Sequence, residues 1–171
     1  MFKYRWPYIV VIGIVVIVGW WWSCGSHTTV LLVRHADRVS GQDALNPDGA
    51  ARAQELVHVA EKAGVAAIIT SDANRAVLTA QPLATSAGLT PVVIPANDIQ
   101  SFVDEIRSRR GTTLLVVGHS NTVPQIIAEL GGPALPNIDD LEFDNVFVLT
   151  LCRCSWRGPK LVNLQYGVTS P

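Results

Sequence analysis

The sequence predicts an α/β protein: a three-layer α/β/α sandwich with a mostly parallel central sheet, preceded by an N-terminal hydrophobic helix. Two observations carry this. From residue 28 onward, short runs rich in Val, Ile and Leu alternate with helix-length amphipathic segments. That is the pattern of strands whose crossover helices cover both faces of a parallel sheet. Ahead of the alternation stands an unbroken uncharged run from Trp6 to Cys24. The chain therefore divides into residues 1–26, a membrane anchor or signal segment, and residues 27–171, one α/β domain.

The length of 171 residues suits one ordinary domain with a short appendage. The formal net charge of -1 gives no reason to expect bulk electrostatic binding to nucleic acid or anionic lipid. Hydrophobic residues make up 49% of the chain, the high end for a globular protein, with much of the excess in the first two dozen positions. The three cysteines fit no zinc pattern and are too few to build a disulfide scaffold.

In the first segment, Lys3 and Arg5 precede an almost pure Ile/Val core from Ile9 to Val18. The run is about as short as a bilayer-spanning helix can be. Trp20, Trp21 and Trp22 stand where an interfacial aromatic belt would lie. The positive flank favours a cytoplasmic N-terminus, so the rest of the chain is expected on the extracytoplasmic side. A signal peptide cleaved after Ser26 is the competing reading, and it gives the same compartment without the tether.

Val30 to His35 reads as a buried strand. A helix follows, with Asn46 as its cap, Pro47 at its first position, Asp48 at the positive end of the dipole and Gly64 closing it. Its stripe is Ala53, Leu56, Val57 and Ala60. Val65 to Ser71 is the second strand. The helix from about Asn74 turns Val77, Leu78, Ala80 and Leu83 inward, with Pro82 as a kink or a tight packing point. PVVIP is a short third strand, and residues from about Asn97 to Arg109 form an amphipathic helix. Thr113 to His119 is the fourth strand, followed by a helix from about Thr122 to Leu130. Val146 to Cys152 and Leu161 to Tyr166 form a terminal strand pair.

Ligands bind at the carboxyl ends of strands in such sheets. Arg34 and His35 end the first strand, Arg75 lies just past the second, and His119 ends the fourth. A buried Arg is costly unless it meets an anion. The sequence offers no obvious carboxylate partner for both arginines, whereas a phosphate matches the guanidinium fork. Two arginines disfavour a charged imidazole at His35, leaving it a free nitrogen for nucleophilic attack. His119 can donate to the phosphoryl oxygens. Phosphoryl transfer needs in-line positioning and charge stabilisation, which these four residues can supply with no metal and no cofactor. Taken singly, each reads as a hydrogen-bonded or solvated residue; their joint placement is what points to a phosphate site.

LVRHADR, LNPDGAARAQEL, SDANRAVLTAQPLA and VVGHSNTVP occur in that order between about residues 29 and 152. This series resembles the histidine phosphatase superfamily, in its phosphoglycerate-mutase-like branch and of the short phosphatase type. The resemblance implies a phosphohistidine on His35 and phosphate contacts from Arg34, Arg75 and His119. Three departures stand out. Ala36 replaces the usual Gly, and Gly41 stands near the place of a frequent Asn. The usual acidic proton donor has no clean counterpart. Asp37, Asp98 and Asp104 are the positions available for it, each better suited to the surface or to capping.

The expected activity is a phosphomonoesterase acting on a small phosphorylated compound or a phosphoprotein, without nucleic acid. Hydrolysis is preferred to a mutase reaction, because so short a chain has little with which to cover the site and exclude water. The alternative is a non-catalytic phosphate-binding module of the same fold. Ser120, Asn121 and Thr122 read first as helix-capping residues and second as anion contacts. Cys152 and Cys154 read as packing residues, with a disulfide to Cys24 as the alternative. Trp156 and Arg157 belong to a hairpin loop with no assigned role.

Overall fold

The computed structural model describes residues 27–152 and 158–170. The expected hydrophobic helix over 1–26, with Cys24, lies outside the described residues, as do Cys154, Trp156 and Arg157. No helix among the described residues is long and apolar enough to cross a membrane. The elements run β1 (His27–Arg34), α1 (Pro47–Lys62), β2 (Val65–Ser71), α2 (Asn74–Ala87), β3 (Val92–Ile94), α3 (Ile99–Ser108), β4 (Thr113–Gly118), α4 (Thr122–Glu129), β5 (Asn145–Cys152) and β6 (Lys160–Gln165).

The strands form one sheet in the order β3-β2-β4-β1-β5-β6. β3, β2, β4 and β1 are parallel, whereas β5 and β6 add antiparallel. The sheet is thus mixed, and the expected parallel character holds for four strands. β5 can join antiparallel because such a partner needs no crossover helix. β1 starts earlier than expected, at His27, because its first residues pair with Thr150 to Cys152 of β5.

Alternate side chains of the central strands enter two cores. Val30 and Leu32 of β1 pack with Leu114 and Val116 of β4 beneath α3 and α4, against Phe102, Ile106 and Ile126. Leu31 and Val33 pack with Leu115 and Val117 beneath α1 and α2, against Leu56, Ala80 and Leu83. Both faces being covered, the strands are near-continuous apolar runs, and three layers result.

Asn46 caps α1 as its sequence suggested, its side chain accepting from Gly49 N at 2.7 Å, and Gly64 turns the chain at φ 68°. On α2 the inward face differs from expectation. Ala76, Thr79, Ala80, Leu83 and Ala84 are buried, whereas Val77 and Leu78 are only half-buried. Small residues face inward because α2 packs closely against both α1 and the sheet, and the buried Thr79 is hydrogen-bonded to Arg75 O at 2.8 Å. The helix runs on through Pro82.

Candidate active site

β1, β2 and β4 are parallel neighbours, so their carboxyl ends open at one edge of the sheet. Arg34, His35, Arg75 and His119 all line one cleft there, about 440 Å3 in volume. The four residues singled out in the sequence are therefore brought together. Arg38, Ser120, Asn121, Thr122, Gln125 and Asp140 also line it.

His35 is 3% exposed. Its backbone N donates to Gly118 O at 2.9 Å, and the next amide, Ala36 N, donates to Thr79 Oγ1 at 2.9 Å. Its Nδ1 lies 2.8 Å from Ala36 O. A carbonyl can only accept, so Nδ1 carries the proton and Nε2 keeps its lone pair. Burial pushes the imidazole from its ordinary 6.5 down to about 3. Arg34, Arg75 and His119 push in the same direction, against the raising effect of the Ala36 carbonyl. The ring is a neutral base with its reactive nitrogen unengaged.

His119 stands edge-on to His35, ring centroids 5.3 Å apart. Its Nε2 is 2.9 Å from Ser71 Oγ, and its Nδ1 is 3.3 Å from Arg75 Nη2. The guanidinium can only donate, so Nδ1 accepts and Nε2–H donates to Ser71. Burial first, then Arg75 and Arg34, lower its pKa to about 4. With Nδ1 accepting from Arg75 and Nε2–H donating to Ser71, His119 offers a phosphate no N–H in this arrangement; donation needs Arg75 to move away and Nδ1 to take a proton.

The arginines differ from expectation, since each has a carboxylate. Arg75 Nη1 donates to Asp43 Oδ1 at 2.8 Å, and Asp43 also accepts from Asn74 N and Arg75 N. Those backbone bonds hold the Asp43 carboxyl below the usual carboxylate range. Arg34, 4% exposed, donates through Nη1 to Asp139 O at 2.6 Å and to Glu142 O at 3.1 Å. Its Nη2 is 3.6 Å from Asp140, and its guanidinium lies 4.2 Å over the Phe143 ring. Sequence spacing hid these partners because loops bring them from far along the chain. Even so, the Nε of Arg34 and of Arg75 are buried donors with no hydrogen-bond partner. Such donors in cleft-lining residues call for an acceptor, and a phosphate oxygen is one.

The weak proton-donor positions are engaged elsewhere. Asp37 pairs with Arg52 at 2.6 Å, Asp98 caps α3 through Ser101, and Asp104 accepts from Gln100 on the same helix. None of the three lines the cleft. Capping by Asn121 is not found; Thr122 Oγ1 instead accepts from His119 N at 2.9 Å. Gly118 permits this approach, since a Cβ there would meet Thr122 Oγ1 at 2.9 Å. Ser71, Thr79 and Asp43 escaped the sequence reading because each acts through a partner dozens of residues away. No group of three or more His, Cys, Asp or Glu among the described residues could hold a metal ion.

A neutral buried histidine with a free nitrogen, set among two arginines and a second histidine, is an arrangement that can receive a phosphate. The family model of the histidine phosphatase superfamily (branch 1) matches residues 30–97. No curated protein matches the chain in sequence. Solved structures match it in fold. The protein histidine phosphatase SixA complexed with tungstate shares 16% identity, with 80% of this chain and 96% of that chain covered and a TM-score of 0.63. The mycobacterial glucosyl-3-phosphoglycerate phosphatase shares 15%, covering 85% and 100%, with a TM-score of 0.58. The phosphoglycerate mutase of Plasmodium falciparum shares 18%, covering 86% and 94%, with a TM-score of 0.56. The chain is thus similar to the histidine phosphatase superfamily in motif order and over the matched segment, and it shares its fold with these solved structures.

Proposed function

We propose that this chain is a metal-independent phosphomonoesterase that works through a phosphohistidine on His35, in a membrane-tethered extracytoplasmic domain. The observation that carries the chemistry is the Nδ1–H of His35 fixed on Ala36 O, which leaves Nε2 as the nucleophile. Nε2 attacks phosphorus as the leaving oxygen departs, and water then cleaves the P–N bond. The arginines neutralise the phosphoryl oxygens, and their unpaired Nε donors support that role. His119 joins when the anion draws Arg75 away from its Nδ1 and that nitrogen takes up a proton, which the anion's charge favours.

The open cleft favours hydrolysis over transfer between two substrate oxygens, because water must reach the phosphoenzyme. Substrates are a small phosphorylated compound or a phosphoprotein. The likeness to a protein histidine phosphatase gives the second class support. Tethering rests on Lys3, Arg5 and the apolar run after them.

The purified full-length chain, with chelator present, is expected to hydrolyse an activated aryl phosphate. His35→Ala should lose turnover by about 10³-fold or more while keeping its folded circular dichroism. Equal turnover in both proteins removes His35 from the nucleophile role. One observation favours a non-catalytic phosphate-binding module: both arginines already have partners. Phosphate binding without turnover in the unaltered chain would establish that reading instead.

A further inference from the structure

We propose that Asp140 is the general base that takes the proton from the water hydrolysing the phosphoenzyme, an inference that rests on the phosphohistidine reading above. Asp140 is the one carboxylate among the described residues lining the cleft. The other acids nearby are tied down. Asp43 accepts from two backbone amides and Arg75, Asp37 is held by Arg52, and Asp72 accepts from Ala96 N. Among the described residues Asp140 has no hydrogen bond of this kind. Its side chain is 88% exposed, and its nearest charged partner is Arg34 Nη2 at 3.6 Å.

The loop that carries Asp140 is braced to the site from both sides. Ile138 N donates to Ser120 O at 3.0 Å, just past β4. Arg34 Nη1, at the end of β1, donates to Asp139 O and Glu142 O. Within the loop, Leu141 N donates to Asp139 Oδ1 at 2.9 Å. The carboxylate is therefore wet, carried at the mouth on a braced loop and adjacent to a guanidinium that would hold the phosphoryl group. General-base catalysis asks for that placement.

In the second half-reaction the water oxygen bonds to phosphorus as the P–Nε2 bond breaks. The bonding pair returns to His35 Nε2. The water proton passes to the Asp140 carboxylate and on to bulk solvent, and inorganic phosphate leaves. Because the group serves as a carboxylate, it donates no proton to the leaving group in the first half-reaction. Substrates whose leaving group departs as a weak base, aryl phosphates among them, are turned over in preference to alkyl phosphates.

The test uses full-length wild type, Asp140→Asn and Asp140→Glu with 4-nitrophenyl phosphate, sampled by rapid quench into alkali, where phosphohistidine survives. Asp140→Asn should form phosphohistidine at the wild-type rate, while steady-state turnover falls about 10²-fold. Phosphoenzyme should accumulate, acetate should restore part of the turnover, and Asp140→Glu should stay within about tenfold of wild type. Wild-type turnover in Asp140→Asn overturns the inference. So does joint loss of burst and turnover without acetate rescue, which would mean that Asp140 only positions Arg34. Turnover in wild type with no phosphohistidine at all instead removes the phosphohistidine reading itself.

Discussion

The two buried histidines set the behaviour of this site with pH. The unfolded chain takes up a proton on each near pH 6.5, whereas the folded site resists down to about 3 at His35 and about 4 at His119. Between those limits the unfolded state binds more protons, so stability rises with pH and is lost as pH falls below 6.5. Each histidine contributes roughly 1.4 kcal/mol per pH unit inside its window. Urea unfolding is therefore expected to show a lower midpoint at pH 5 than at pH 7, with a smaller difference in His35→Asn. Equal midpoints for the wild type would count against neutral buried imidazoles. The four residues that form the site could be read in the sequence because Arg34 ends a strand, His35 and His119 directly follow strands, and Arg75 opens the helix just past one, so each sits at the same edge of the sheet. Their supports could not. Ser71 reaches His119 across 48 positions and Thr79 reaches Ala36 across 43, and no local pattern reports such contacts.

At the scale of elements, the start of α2 depends on a residue outside it. Ala73 provides no side-chain cap, and Asp43 supplies one from the preceding loop by accepting from Asn74 N and Arg75 N. The same carboxylate aims Arg75. Asp43→Ala should therefore cost about 1 kcal/mol in urea unfolding, the usual size of a lost cap. It should also raise KM for an aryl phosphate more than it lowers kcat. An unchanged KM would mean that Arg75 finds its place without Asp43. A helix start that caps itself was legible in Asn46 on α1, whereas Asp98 caps α3 one residue after the expected start near Asn97. The start of α2 gave no such signal, and its inward face was misjudged because Val and Leu are weighted above Ala. Close packing selects the smaller residues.

For the whole molecule, the order of strands and helices followed from periodicity alone, but the sheet order did not. β1 sits between β4 and β5, both far away in sequence, and no local rule specifies those neighbours. The antiparallel pair β5 and β6 was legible as a hairpin-like ending, whereas its place beside β1 was not. Closure of the C-terminal end is equally non-local: buried Arg52 donates to Tyr166 O and Val168 O while pairing with Asp37. The proposed tether is a statement at this scale. The full chain should stay with membranes through an alkaline carbonate wash, and an impermeant protease added from outside should digest it. Recovery in the wash would sink the tether, and a released chain starting near His27 would indicate signal cleavage.

β1 begins at His27 and ends at Arg34, the residue before His35, paired with β5 from His27 to Val33 and with β4 from Thr29 to Arg34. It is about 26 Å long, at about 3.3 Å per residue. A pull on the residues before His27 runs along this strand toward the nucleophile. Such a load shears β1 against β4 and β5, so its hydrogen bonds share the force and must fail together instead of unzipping singly. Under the proposed tether, the strand that leads to the imidazole of His35 would also be the spar by which the domain hangs.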